Sequence, residues 1–146
     1  MYNIGQVAEM VDLPVSTLRY YDKQGLFPKL KRDSGIRKFS EKELRTLRMI
    51  ECLKKSGLEI RDIRRFMEWC EEGPSTFEQR KELLETQKAH VEEEIRHLNQ
   101  TLDMLNYKCW FYEQAIREGS DEPVRAMTPD QMPDEIRRAY ENSMQG

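Results

Sequence analysis

Ile4, Val7, Ala8 and Val11 stand at i, i+3, i+4 and i+7, one apolar stripe that predicts an amphipathic helix. Asn3 is placed to cap it, with Gln6 three residues on to complete a capping box. A short turn, Asp12-Leu13-Pro14, leads to a second helix that starts near Val15, since proline favours a helix start. Gly25 is its expected stop. This second helix has two unlike faces. Val15, Leu18 and Tyr21 point inward, while Ser16, Arg19, Tyr20 and Lys23, all hydrogen-bond donors, share another side at helical spacing. Two short helices joined by a tight turn, the second with a donor-rich face, predict a helix-turn-helix.

Leu30 to Phe39 reads as a β-hairpin, with Asp33-Ser34-Gly35 the turn between two short basic segments. Beside a helix-turn-helix, such a hairpin is a wing. Ser40 and Glu43 form a second capping box and open a third helix that runs to Gly57, with Leu44, Leu47, Ile50 and Leu53 as its apolar stripe. A fourth helix, Ile60 to Glu71, turns Ile60, Ile63, Phe66, Met67 and Cys70 inward. Glu59 stands there in place of a Ser or Thr cap.

Glu72-Gly73-Pro74 breaks the pattern and marks a boundary. Ser75 with Glu78 reads as a third capping box. From there no Gly or Pro interrupts the chain until about Glu118, so one helix on the order of 60 Å long is expected. Its apolar positions are Phe77, Leu84, Val91, Ile95, Leu98, Leu102, Leu105, Cys109, Tyr112 and Ile116. From Val91 the steps alternate four and three, a coiled-coil seam. So long a seam has no room against the small domain before it, so a second copy of the chain is the expected partner. Leu84, Val91, Ile95, Leu98, Leu102, Leu105, Cys109 and Tyr112 are the expected dimer contacts. The segment after Gly119 is acidic and broken by proline, with Ile136, Ala139 and Tyr140 hinting at one short helix. Three regions follow: a DNA-binding domain over 1–73, a dimerisation helix over 75–118 and a tail over 119–146.

Charge sharpens this picture. The chain of 146 residues has a net charge of −3, yet Val15 to Arg48 holds ten Lys/Arg against four Asp/Glu. A basic stripe in an acidic protein is the electrostatic footprint of a polyanion partner. There is no long apolar run, so no membrane span is expected. MYNIGQVAEMVDL has neither a basic nor an apolar leader region, so no signal peptide is expected. Three cysteines at wide spacing argue against a disulfide framework and for a reducing cytoplasm.

Of those cysteines, Cys70 falls on the fourth helix's apolar stripe and Cys109 on the seam, both as packing residues. Cys52 lies off the third helix's stripe, with Arg48, Lys54 and Lys55 close in sequence. Neighbouring cations favour a thiolate, so Cys52 is the candidate sensor thiol. The alternative is a silent cysteine covered by a partner's long helix. His90 and His97 lie seven apart on one helix face, too isolated for a metal site, and no cofactor is expected. Two other classes compete with a DNA-binding regulator: a coiled-coil adaptor gripping an acidic protein, and a thiol peroxidase using Cys52. The second lacks a nucleophile, base and orienter set, so no catalytic residue is assigned.

Taken together, TLRYYDKQGL (Thr17 to Leu26), Gly35-Ile36-Arg37, Phe39-Ser40 and the two helices before one long helix resemble the MerR family of bacterial transcription regulators. At motif level the resemblance covers Tyr2 to about Met67. It implies a mainly α fold: a winged helix-turn-helix followed by a long antiparallel coiled-coil dimerisation helix. It also implies palindromic promoter DNA as partner, with the operator between promoter elements set unusually far apart. The family bends and untwists that spacer so that RNA polymerase engages both elements, a use of DNA deformation as a switch. Carried over residue by residue, the resemblance makes Arg19 a contact to base edges or an adjacent phosphate. Tyr20 becomes a phosphate contact, Tyr21 a packing residue and Arg37 a phosphate clamp. Lys38 stands where the family often has an aromatic, keeping the attraction to phosphate without the stacking. Ser16 and Thr17 begin the recognition helix, where side chains enter the major groove. The roughly thirty residues after Glu118 are too few for the large ligand-binding domain many members carry. Nor do the cysteines match the family's metal sensors, which place more of them in a loop after the long helix. The position of Cys52 resembles the single cysteine of the family's aldehyde- and thiol-stress branch.

Overall fold

A computed structural model describes residues 1–145. The elements run α1 (Ile4–Val11), α2 (Val15–Lys23), β1 (Lys31–Asp33), β2 (Ile36–Lys38), α3 (Glu41–Lys55), α4 (Ile60–Glu72), α5 (Phe77–Glu118), α6 (Glu122–Arg125) and α7 (Asp134–Ser143). The fold is mainly α with one small antiparallel hairpin as its wing. Among the described residues, no helix is long and apolar enough to cross a membrane. The chain forms two compact units, Met1–Lys88 and Ala89 onward, with the division inside α5.

The first unit starts with the capping box expected at Asn3. Its side chain accepts from Gln6 N (2.9 Å), and the Gln6 side chain accepts from Asn3 N (2.9 Å). The second box also forms: Ser40 N donates to the Glu43 carboxylate at 2.8 Å, and the Ser40 hydroxyl donates to the same group. Burial works to raise the Glu43 pKa, but these hydrogen bonds outweigh it and hold the group below its ordinary value. Ser34 and Gly35 both have positive φ, 50° and 80°. That is the backbone of the tight hairpin turn whose twist suits antiparallel strands, and it pairs Arg32 with Arg37 across the wing. Tyr2 and Phe39 exchange two backbone hydrogen bonds of 2.8 Å, tying the N-terminus to the base of the wing.

The core joins α1 to α4. Val7, Leu18, Tyr21, Leu26, Phe39, Leu47, Ile50 and Ile63 are fully enclosed, and Phe27 meets Phe39 edge to face at 5.6 Å between ring centres. The stripes predicted for α3 and α4 point inward, with Ile60, Met67 and Cys70 partly covered at the margin. Glu59 precedes α4 without a side-chain cap bond.

At the α4–α5 junction the structure departs from the sequence expectation. The Ser75/Glu78 box does not form, because residues 74–76 make a single 3-10 turn and α5 begins one residue later. Thr76 takes over: it is buried, and its hydroxyl lies 2.6 Å from the Trp69 carbonyl and 2.8 Å from that of Gly73. Arg80 joins it, with Nε donating to Thr76 Oγ1 (3.0 Å) and Nη2 to Trp69 O (3.1 Å) and Gly73 O (2.8 Å). The bonds therefore satisfy carbonyls at the C-terminus of α4 rather than amides of α5. One turn on, Leu83 rather than Leu84 packs against the core. Two turns past Arg80, Gln87 Nε2 donates to Ser56 O at 2.6 Å, capping the end of α3. Its amide sits so near Gly57 that a Cβ there would lie 2.8 Å away.

The second unit also holds more than expected. The tail forms α6, a 3-10 turn over residues 129–131 and α7, where the sequence suggested one helix. Val124, Met132 and Ala139 are buried, and the Tyr140 ring packs at a tilt of 52° against Tyr107 of α5, 4.8 Å between ring centres. Asn142 hydrogen-bonds Asp103. The tail thus covers the face of α5 that carries Tyr107. The seam face stays open: Leu98 is 68% exposed, Leu102 54% and Ile116 80%.

Candidate nucleic-acid interface

α2 sorts its residues as the pattern predicts. Leu18 and Tyr21 have no exposed surface, while Ser16, Arg19, Tyr20 and Lys23 are exposed. Thr17 is half-buried at the helix's N-terminal end. The face is held in place from behind. Tyr21 OH donates to Glu51 at 2.7 Å, and Lys54 Nζ donates to Tyr21 OH at 3.1 Å while lying 5.5 Å from its ring centre. Burial and the bond to Glu51 push the Tyr21 pKa up, and the bond to Tyr21 raises that of Lys54. Tyr21 is therefore a neutral strut between recognition helix and α3, and Tyr20 is the exposed member of the pair.

Arg37 and Lys38 are half-buried on β2. Arg37 is not a free cation. Its Nε donates to Asp22 Oδ2 at 2.7 Å, and Arg32 Nη2 donates to that same oxygen at 2.7 Å. Sequence reading missed Asp22; its one signal was an acid inside the basic stripe. It also ended the stripe too early. Tyr20, Gln24, Lys54, Arg61 and Arg64 line one groove where α2, the end of α3 and the start of α4 meet. Arg61 and Arg64 are well exposed, and their pairs with Glu59 (3.5 Å) and Glu68 (3.8 Å) are of the weak surface kind. Their signal was the basic first turns of a helix that follows a glycine turn. Donors on α2, on the wing and in this groove suit the phosphate and groove contacts of a DNA-binding protein.

The cysteines separate only in part. Cys52 is exposed and Cys70 is half-buried, as expected, but Cys109 is exposed too because the seam it occupies is open. Among the described residues no cluster of three or more His, Cys, Asp or Glu is suited to a metal ion.

Comparison with known proteins agrees with this geometry. Residues 2–69 match the model of the MerR HTH family regulatory protein, and residues 44–107 match that of the MerR DNA-binding region. An HTH-type transcriptional regulator of Haemophilus influenzae is 40% identical over 134 residues, spanning 91% of this chain and 97% of its own. The crystal structure of HiNmlR, a MerR family regulator lacking the sensor domain and bound to promoter DNA, superposes with a TM-score of 0.65. It is 40% identical and covers 84% of this chain and 98% of that one. A MerR family regulator from Bacillus thuringiensis is 45% identical with a TM-score of 0.61, covering 74% of this chain and 96% of its own. With a recognition helix, a wing and a long helix in the same order, the chain belongs to the MerR family of DNA-binding transcription regulators.

Proposed function

We propose that the protein binds a palindromic promoter operator as a homodimer and controls transcription by bending and untwisting the promoter spacer for RNA polymerase. The observation that carries this reading is the donor face of α2, exposed beside a wing, on a chain whose long helix leaves an apolar seam uncovered. The likeness to a regulator solved on promoter DNA supports it. In this reading Ser16, Thr17 and Arg19 enter the major groove. Tyr20, Lys23, Arg37 and Lys38 hold phosphates, with Lys54, Arg61 and Arg64 extending the backbone contact. Leu84 through Tyr112 of the seam join the two protomers. The domains act as a DNA-binding part over 1–73, a dimer helix over 75–118 and a tail over 119–146, in the cytoplasm and without catalysis. Peroxide turnover by the purified protein would count against the last point.

The test is selection from a random DNA pool. An inverted repeat should emerge, and affinity for it should fall steeply with salt as bound cations displace counterions. Arg19→Ala should narrow the gap between operator and random DNA by roughly 1–3 kcal/mol if it reads a base. Equal losses on both DNAs would make it a phosphate contact. Arg37→Ala should weaken all sequences alike and lower the salt slope by about one.

A second reading, resting on the exposure of Cys52, makes it a sensor thiol. Brief treatment with a limiting electrophile should label Cys52 first in the dimer, where the partner covers Cys109, and should change transcription from the native promoter. A Cys52→Ser protein that still responds removes this role.

A further inference from the structure

An acid in a DNA-facing basic stripe works against binding by its charge alone. Asp22 is such an acid, yet it does not face solvent: its side chain is only 11% exposed. Its Oδ2 accepts from Arg32 on β1 and Arg37 on β2, both at 2.7 Å. These two arginines are directly paired across the hairpin, so both strands are tied to a single atom of the recognition helix. The wing needs such a tie. Two three-residue strands do not hold an orientation by themselves, and residues 31–36 are all exposed. At its base the wing is fixed by buried Phe39 and the Tyr2–Phe39 bridge. Nearer the tip, the Asp22 carboxylate supplies a tie.

The geometry on Arg37 is specific. Asp22 takes its Nε, while the guanidinium carries five N–H donors in a fixed fork. Both terminal amino groups therefore remain for another oxygen, and the fork cannot swing away from the side on which Asp22 holds it. Arg37 is 23% exposed, so its stem is packed while its end reaches the surface.

We propose that Asp22 is a positioning residue for DNA binding: it fixes the wing against the recognition helix and presents the terminal amino groups of Arg37 to the DNA backbone. Holding a contact group in its bound geometry before the partner arrives lowers the cost of ordering it on binding. The proposal rests on the assignment of Arg37 to a phosphate made above.

The test is a double-mutant cycle on operator DNA with Asp22→Asn, Asp22→Ala and Arg37→Ala. Asp22→Asn keeps the shape of the side chain and removes its charge, so it remains informative if Asp22→Ala folds poorly. Far-UV circular dichroism checks the folded fraction of each protein. Each Asp22 variant should bind the operator on the order of tenfold more weakly, the size of a lost charge-assisted hydrogen bond. That loss should shrink when Arg37 is already alanine, leaving only the share that runs through Arg32. Tighter binding of Asp22→Asn to operator and random DNA alike would reduce Asp22 to a source of repulsion and overturn the proposal. An undiminished loss in the Arg37→Ala background would overturn it as well, since a general packing role does not depend on Arg37. Should Arg37→Ala alone leave affinity unchanged, it is the phosphate assignment that fails, whatever the Asp22 variants do.

Discussion

Helix α3 has fifteen residues and buries four of them, Leu44, Leu47, Ile50 and Leu53; α5 has forty-two and fully buries none. Both carry apolar residues at helical spacing. The difference lies in what surrounds them. α3 is enclosed by α1, α2, α4 and the wing base, whose side chains close over its stripe. α5 supplies Arg80, Leu83 and Gln87 to the first unit and the Tyr107 face to the tail, and its seam is left over. A row of exposed Leu and Ile on one helix is a contiguous apolar strip rather than scattered surface residues, which is what the proposed dimer would cover. The same residue type thus signals a finished core in one place and an unfinished one in the other.

Charging the seam gives the strongest test of that contrast. Leu98→Lys with Leu102→Lys would bury like charges in an apolar interface, at a cost of several kcal/mol. Sedimentation should show a monomer while the first unit keeps its helical signal. A surviving dimer would mean the seam is not the interface.

Truncation then compares the two cores by one chemistry. Leu47→Ala should cost about 2–5 kcal/mol of stability, the usual price for emptying an enclosed leucine site, whatever the protein concentration. Leu102→Ala removes the same atoms, but its effect should depend on concentration, because a seam closed by a second copy obeys mass action. Urea unfolding at two well-separated concentrations distinguishes them. Matching, concentration-independent losses would place Leu102 in an intrachain core.

A smaller effect is expected where α5 meets its own domain. Gln87→Ala removes one hydrogen bond to Ser56, worth about 1 kcal/mol. Gln87 ties the first turns of α5 to the end of α3; in the proposed dimer, loosening that tie should change the spacing of the two recognition helices. The variant should discriminate less between operators whose half-sites differ by one base pair, while binding a lone half-site as before. Fluorescence anisotropy on a spacer series measures this, and an unaltered spacing preference would remove the role.

The smallest effect is in the capping box of α3. Glu43 has its folded-state pKa lowered, so its contribution is complete at neutral pH and is lost as the pH falls through that value, below about 4.5. Glu43→Ala should cost about 1 kcal/mol or less at pH 7. The gap from the unaltered protein should close in acid; a gap constant down to pH 3 would show that the carboxylate charge is not what caps the helix.

These contrasts follow the limit of what was legible. The Asn3/Gln6 and Ser40/Glu43 boxes, the Ser34-Gly35 turn, the split between Tyr20 and Tyr21 and the extent of α5 were all readable, because each depends on neighbours a few residues away. Ser75/Glu78 has the same spacing as the other boxes but does not form one. Gly73 and Pro74 set a 3-10 turn before it, and the carbonyls ending α4 take Thr76 and Arg80. The acidic, proline-broken tail suggested one short helix around Ile136 to Tyr140, yet Val124 and Met132 before it are buried too, with Ala139, in the second unit.

What the sequence by itself determined is local: where helices start and stop, which residues share a face, and that the seam of α5 is apolar. Backbone geometry repeats every few residues, so spacing alone settles these points. What only the tertiary structure decided is which face meets which neighbour. Asp22 finds Arg37 fifteen positions on, Tyr21 finds Glu51 thirty positions on, and Gln87 reaches back thirty-one positions to Ser56. Hydrogen bonds of that range leave no period in the sequence. They exist because the enclosed core of α1 to α4 brings distant backbone and side-chain groups to bonding distance, and a polar group brought there must find a partner or lose its hydration uncompensated.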